Sequence, residues 1–325
     1  MNLKSAKRAG VVLGAVALGT TVLGAPAQAD PTAPRPVVAV GSDTTQYVMN
    51  GLSSAGSLIG SYDAIGSATI DTRVPAGVCD TVTRPNGSSA GINALNADIA
   101  DPAVNCIDAA RSSRGPNNTS TSDLTWYRFA KDAVTVAVRN DSGLLFHTFT
   151  KAELQSVYKC ETTVVDGITV NPLIPQAGSG TRTYWAAEMG INATTLPSCV
   201  KDTNGGAAVQ EHDGGALVNE GDIMPYSIAQ YIAQGNGLPG VPDRREAAEL
   251  LSIDGQDAVV GGVFNAAFPI QREVYNVVET ARTGEANIIG AFVGAGSEAC
   301  NSTVIQQYGF GTLANCGTVA FTGES

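Results

Sequence analysis

Three stretches of the chain place hydroxyl and glycine residues where a strand would hand over to a helix: Gly41-Ser42-Asp43-Thr44-Thr45, Pro85-Asn86-Gly87-Ser88-Ser89 and Gly178-Ser179-Gly180-Thr181. The first N–H groups of a helix have no acceptor within it, and the helix dipole puts about half a positive charge there. Such turns bind anions. Glycine lets backbone N–H groups approach a ligand with no Cβ in the way, and the hydroxyls of Thr44, Thr45, Ser88, Ser179 and Thr181 add neutral donors. One such turn is an ordinary N-cap, worth about 1 kcal/mol to its helix. Three of them in one chain point to a common anion site, because ligands of open α/β sheets sit beyond the carboxyl ends of the strands, where strand-to-helix turns converge.

The flanking patterns supply the elements that would position these turns. Val37 to Val40 is a β-prone run before the first turn, and Val48 and Leu52 follow it at helical spacing; Ile92, Leu95 and Ile99 follow the second. The run Ile168 to Pro175 precedes the third turn, and Trp185 and Met189 lie on the helix it opens. Further strands are expected at 133–138 and 273–278, and helices at 151–158 and 227–233. Residues 112–122 and 204–222 read as loops, the second rich in glycine and carboxylates. Alternating strands and helices of this kind make an α/β protein.

At 325 residues, 43% hydrophobic and 15% charged, the chain has material for two domains with their own cores. The 37 glycines have no triplet period, which excludes collagen, and the apolar content excludes a disordered acidic chain. The formal net charge is −11, with no basic run after the N-terminus, so nucleic acid is not an expected partner. Anion binding is compatible with this charge, because donors within a few ångströms govern a buried site while exposed charges beyond about 8 to 10 Å are screened. Residues 1–29 read as an export signal: Lys4, Lys7 and Arg8 precede an apolar run, and Ala27-Gln28-Ala29 forms a cleavage site before Asp30. A secreted or periplasmic protein is expected, with no cysteine placed for a lipid anchor. All six cysteines lie in the exported part, which argues for disulfides. Sequence neighbours give the simplest pairing: Cys79 with Cys106, Cys160 with Cys199, and Cys300 with Cys316. Zinc is not indicated, since no two cysteines have C-x₂-C spacing and the two histidines, His147 and His212, are isolated.

At these residues the chain resembles the type II periplasmic substrate-binding proteins that serve phosphate ABC importers. The resemblance is carried, in order, by Gly87 to Gly91, Asp108 to Arg114, the segment Phe149 to Tyr158, Gly178 to Thr181, and Phe268-Pro269-Ile270-Gln271-Arg272-Glu273-Val274-Tyr275. It implies two α/β lobes, each with a central mixed sheet, joined by a hinge of crossing strands. Lobe one would take residues 30–130 and 271–325, and lobe two 131–270. The ligand would be a small tetrahedral oxyanion, inorganic phosphate first, buried between the lobes of a monomer and delivered to an ABC permease. No cofactor and no metal are implied. Carried over by position, Thr44, Thr45, Ser88, Ser179, Gly180 and Thr181 match the family's ligand residues, and Ser113 and, by spacing, Arg182 complete the expected set.

The chain departs from that pattern twice. Ser113 stands where phosphate binders have an Asp that accepts the ligand's proton, and Pro175 and Gln176 stand where they have an Arg. Asp43 could replace the acceptor, and Arg182, Arg111 or Arg114 the cation. A first-turn Arg182 in solvent and an N-capping Asp43 are equally open, and Trp126, Tyr127 and Trp185 read as core or hinge packing. An unanchored scavenger or surface interaction protein of the same fold is a second reading of function. A secreted hydrolase is a third and weaker one: Ser179 lacks the Gly-x-Ser-x-Gly elbow, His147 sits among aromatic residues, and His212 reads as part of an acidic turn.

Overall fold

The computed structural model describes residues 30–324 apart from 54–55, 74–76, 78, 102 and 104, so residues 1–29, where an export signal is expected, lie outside the described residues. Its frame is a mixed nine-stranded sheet. In chain order the strands are β1 (Val37–Gly41), β2 (Ile59–Ser61), β3 (Ala109–Ser112), β4 (Leu124–Arg139), β5 (Asn171–Pro172), β6 (Asp222–Ser227), β7 (Ala248–Leu250), β8 (Gln271–Glu279) and β9 (Val319–Thr322). The order across the sheet is β2-β1-β3-β8-β4-β6-β5, with β7 and β9 also paired to β4. β1 runs parallel to β2 and β3, an arrangement that requires crossover connections between the strands.

Two long strands carry the sheet from one half of the molecule to the other. β4 is 16 residues long and pairs antiparallel with β8 from Gln271↔Ala133 to Glu279↔Leu124, with a register shift between Val274 and Tyr275. Such a bulge bends the strand and increases its twist. Beyond it, the two ends of β4 feed different cores. One core contains Trp185, Tyr158, Phe149 and Phe268 and is drawn entirely from residues 133–270. Val37, Met49, Phe129 and Phe292 belong to a second core, and Trp126 and Ile92 to a third. The helix Ile228–Gly235 serves two of them, giving Ile228 and Ile232 to the first and Ala229 and Ala233 to the second. Trp126 and Trp185 are fully buried packing residues, in keeping with their reading as core or hinge packing.

The helices lie close to their expected places. They include α1 (Gln46–Leu52), α2 (Ser88–Ala100), α3 (Lys151–Tyr158) and α4 (Gly180–Met189). The expected strand at 133–138 is longer than read, because residues 124–132 lack strict alternation but are buried on both faces of the crossing ladder. The three neighbour disulfides are present, Cys79–Cys106, Cys160–Cys199 and Cys300–Cys316. No helix among the described residues is long and apolar enough to cross a membrane.

Candidate anion site at the strand-to-helix turns

The three turns meet. Ser89 N–H donates to Gly178 O at 3.1 Å, and Gly87 N–H donates to Gly41 O at 3.3 Å, so the second turn contacts both of the others. Ser42, Asp43, Thr44, Thr45, Ser88, Ser113, Ser179 and Thr181 are all buried. Gly180 is required where the turns close on one another. A Cβ there would overlap Ser88 Oγ and Ser113 Oγ and lie 3.0 Å from Ser88 Cβ. Ser88 Oγ accepts the Ser113 N–H at 3.0 Å and lies 3.2 Å from Ser113 Oγ.

At the centre of the cluster is a carboxylate from the chain itself. Glu211 Oε1 accepts the Thr44 and Thr181 hydroxyls, each at 2.6 Å, and Oε2 accepts the Ser179 hydroxyl at 3.1 Å. Thr44 Oγ1 and Thr181 Oγ1 are 3.3 Å apart. Arg272 Nη2 lies 3.4 Å from Thr44 Oγ1, so the guanidinium backs the ring of hydroxyls. Asp132 fixes it through Nε at 3.1 Å and Nη2 at 2.8 Å, and its Nη1 is buried with no hydrogen-bond partner among the described residues. Asp132 in turn accepts from Ser227 Oγ and the Ala229 N–H.

Ser179 both caps its helix and faces the cluster: its Oγ accepts the N–H groups of Thr181 and Arg182 while its proton goes to Glu211. Ser179→Ala removes that cap, so we expect a loss of about 1 kcal/mol of stability, read from the urea unfolding midpoint. Thr45 is different. It occupies the N-cap position of α1 without capping it, and its buried hydroxyl has no partner among the described residues.

None of the three arginines expected to supply positive charge turns into the cluster. Arg182 directs Nε to Ala193 O at 2.7 Å and Nη1 to Pro175 O at 3.1 Å and Asp202 at 2.8 Å. One residue along a helix is a rotation of about 100°, so with Thr181 facing the cluster its neighbour cannot. Arg111 is spent on Ala39 O, Ser42 O, Ser61 and Tyr62 O, bracing β1 from behind. Arg114 is paired with Glu324 at 2.6 Å. Spacing alone does not single out Arg272, although it stands in the Phe-Pro-Ile-Gln-Arg segment. Glu211 carries no signal at all among the carboxylates of its loop.

His212 is not in an exposed acidic turn. It is fully buried, and its Nδ1 lies 3.5 Å from Asp43 Oδ2. The backbone explains the burial: Glu211 O accepts the Ser227 N–H at 2.9 Å and His212 O accepts Gln234 Nε2 at 2.8 Å, which pins the segment to β6 and the helix after it. Burial pushes the Asp43 carboxyl up, but the His212 imidazole beside it, together with hydrogen bonding with Glu211 and the local backbone, holds it below its ordinary value. Burial pushes Glu211 up, and the Asp43 charge adds to the effect. Burial alone would lower the His212 pKa, yet the two carboxylates keep it raised. Asp43 does not cap a helix in the ordinary way; its Oδ1 accepts the N–H of the next residue, Thr44, at 3.0 Å. Asp43, Glu211 and His212 are of metal-ligand type and have ligand atoms within 4.8 Å of one another. Both Glu211 oxygens are already engaged by hydroxyl protons, which fits an anion in a donor ring better than a cation in an acceptor ring. His147 lies elsewhere, partly exposed between Asp166 at 2.8 Å and Glu153 at 3.1 Å.

Several solved structures share this architecture. One, from Clostridium perfringens, is described as a phosphate ABC transporter substrate-binding protein with bound phosphate; it is 15% identical, with a TM-score of 0.57 over 85% of this chain and 99% of that one. An ABC-type phosphate transport receptor from Vibrio cholerae gives 0.53 at 15% identity over 85% and 100%. A human phosphate binding apolipoprotein gives 0.51 at 14% identity over 85% and 91%. The chain has their fold. No protein-family model matches the sequence, and no curated protein matches it.

Proposed function

We propose that the protein is an exported receptor that holds a small tetrahedral oxyanion, inorganic phosphate first, between two lobes, residues 30–130 with 271–325 and residues 131–270. One observation carries the reading: hydroxyls from two distant turns, with Arg272 behind them, converge on a buried anionic oxygen group. Oxygen atoms of a phosphate would take the same donors as those of the Glu211 carboxylate. The helices α2 and α4, which start at Ser88 and Gly180, add their N-terminal polarity. Three disulfides suit an oxidising compartment outside the cytosol. Phosphate-binding proteins among the structures of the same fold support the choice of ligand.

No covalent step is proposed. His212 Nε2 has no hydrogen-bond partner among the described residues, so no serine or threonine is paired with it as a nucleophile would be. The protein would act as a monomer and pass its anion to an ABC permease.

Calorimetric titration of ligand-stripped mature protein with phosphate, sulfate, arsenate and molybdate tests the reading. Phosphate should bind at one site per chain, and absence of heat with all four anions would remove the function while leaving the fold. Ser88→Ala removes one neutral donor proposed for the charged ligand without touching Glu211, so phosphate affinity should fall by about 1 to 3 kcal/mol in the same titration.

A further inference from the structure

Glu211 occupies the point where the proposed ligand would sit, and this deepens the oxyanion reading on which it rests. The carboxylate satisfies Thr44, Ser179 and Thr181 at once, and it does so across the molecule: Thr44 follows β1, whereas Ser179, Thr181 and Glu211 come from the middle of the chain. The same junction is tied by Asp43 beside His212 at 3.5 Å and by Gln230 Nε2, which donates to Asp43 O at 3.0 Å and also to Thr44 O. The Glu211 backbone cannot drift away, since Ser227 N–H holds its carbonyl.

We infer that Glu211 is a tethered competitor: its carboxylate is the resident anion that latches the cleft shut, and a free oxyanion binds by displacing it. A phosphate and an ionised Glu211 cannot share the pocket, because both need the same three hydroxyl protons and both are negative. Glu211 thereby sets the receptor's affinity. A site that is competent only when the side chain has left binds more weakly by the fraction of time it is vacant. Phosphate also offers more acceptor oxygens than the carboxylate, and Arg272 Nη1 and the Thr45 hydroxyl are buried donors without a partner among the described residues. With four oxygens against the carboxylate's two, a tetrahedral anion has an advantage in displacing it.

The test is titration of native protein, Glu211→Ala and Glu211→Gln with inorganic phosphate near neutral pH, with small-angle scattering of each unliganded protein and circular dichroism to confirm folding. Glu211→Ala should bind phosphate about tenfold or more tightly than native protein, with Glu211→Gln between them. Unliganded native protein should scatter as a closed particle and Glu211→Ala as a more open one that closes on phosphate. Equal affinities, or weaker binding by Glu211→Ala, would overturn the inference and leave the oxyanion site standing. Failure of all three folded proteins to bind phosphate would overturn the oxyanion reading together with this one. If Glu211→Ala does not fold, Glu211→Gln decides, since tighter binding there supports competition by charge and unchanged or weaker binding overturns it.

Discussion

Replacing Gly180 with alanine is expected to lower phosphate affinity about 10- to 100-fold while leaving the unfolding midpoint unchanged or slightly raised. The added methyl would overlap the Ser88 and Ser113 hydroxyls. All three residues are buried where the second and third turns meet, so the neighbours have little room to yield. Overpacking of this kind costs about 1 to 3 kcal/mol, and on the proposed two-lobe reading it falls on closure, because Ser88 and Ser113 would belong to one lobe and Gly180 to the other. Alanine is at the same time the better helix former by up to about 1 kcal/mol, and Gly180 is the first residue of α4. Affinity and stability should therefore move independently. Titration calorimetry and a urea melt on the same preparation check this, with Gly284→Ala as the control, since nothing lies within 4 Å of a Cβ there. Parallel losses of affinity and stability would show that Gly180 matters for the helix and not for closure.

Arg272→Ala should be the most damaging single change at the site. The side chains of Arg272 and Asp132 are 3% and 0% exposed and pair at 2.8 Å. Removing the cation leaves a buried carboxylate with two neutral donors, Ser227 and Ala229, and no positive partner in contact. Breaking a buried pair on one side costs about 3 to 5 kcal/mol, which for a chain of this size is a fall in Tm of roughly 10 °C. Phosphate binding should be lost as well, because Arg272 is the guanidinium that reaches the hydroxyl cluster among the described residues. Arg272→Met with Asp132→Asn separates the two effects. Asparagine keeps an acceptor for Ser227 and Ala229, and no charge is left unpaired, so about half of the lost stability should return. Phosphate binding should not. Recovery of binding in the double variant would remove Arg272 from the site.

Parts of the site that depend on local chain order are legible in the sequence. Hydroxyl residues at a strand-to-helix turn mark the start of a helix wherever the fold places it, and Thr44, Ser179 and Thr181 all donate to the Glu211 carboxylate. The helix at 151–158 is legible for the same reason: Thr150 caps it through the Glu153 N–H, and Leu154 and Val157 lie on its buried face. Disulfides between sequence neighbours close short loops, and all three formed.

The charges are less legible. Arg111, Arg114 and Arg182 stand at promising spacings, but where a long side chain points is decided by which acceptors the tertiary structure offers, and each finds backbone carbonyls or a carboxylate on its own side. Glu211 shows the limit most clearly. Thr44 and Glu211 are 167 residues apart, and Thr44 and Arg272 are 228 apart. Sequence alone determined that three hydroxyl-rich strand-to-helix turns exist, because turn chemistry is written within a few residues. Only the tertiary structure brings Glu211 to those turns and Arg272 behind them, because these partners are far apart in the chain and meet through packing around β4 and β8, which no local pattern records.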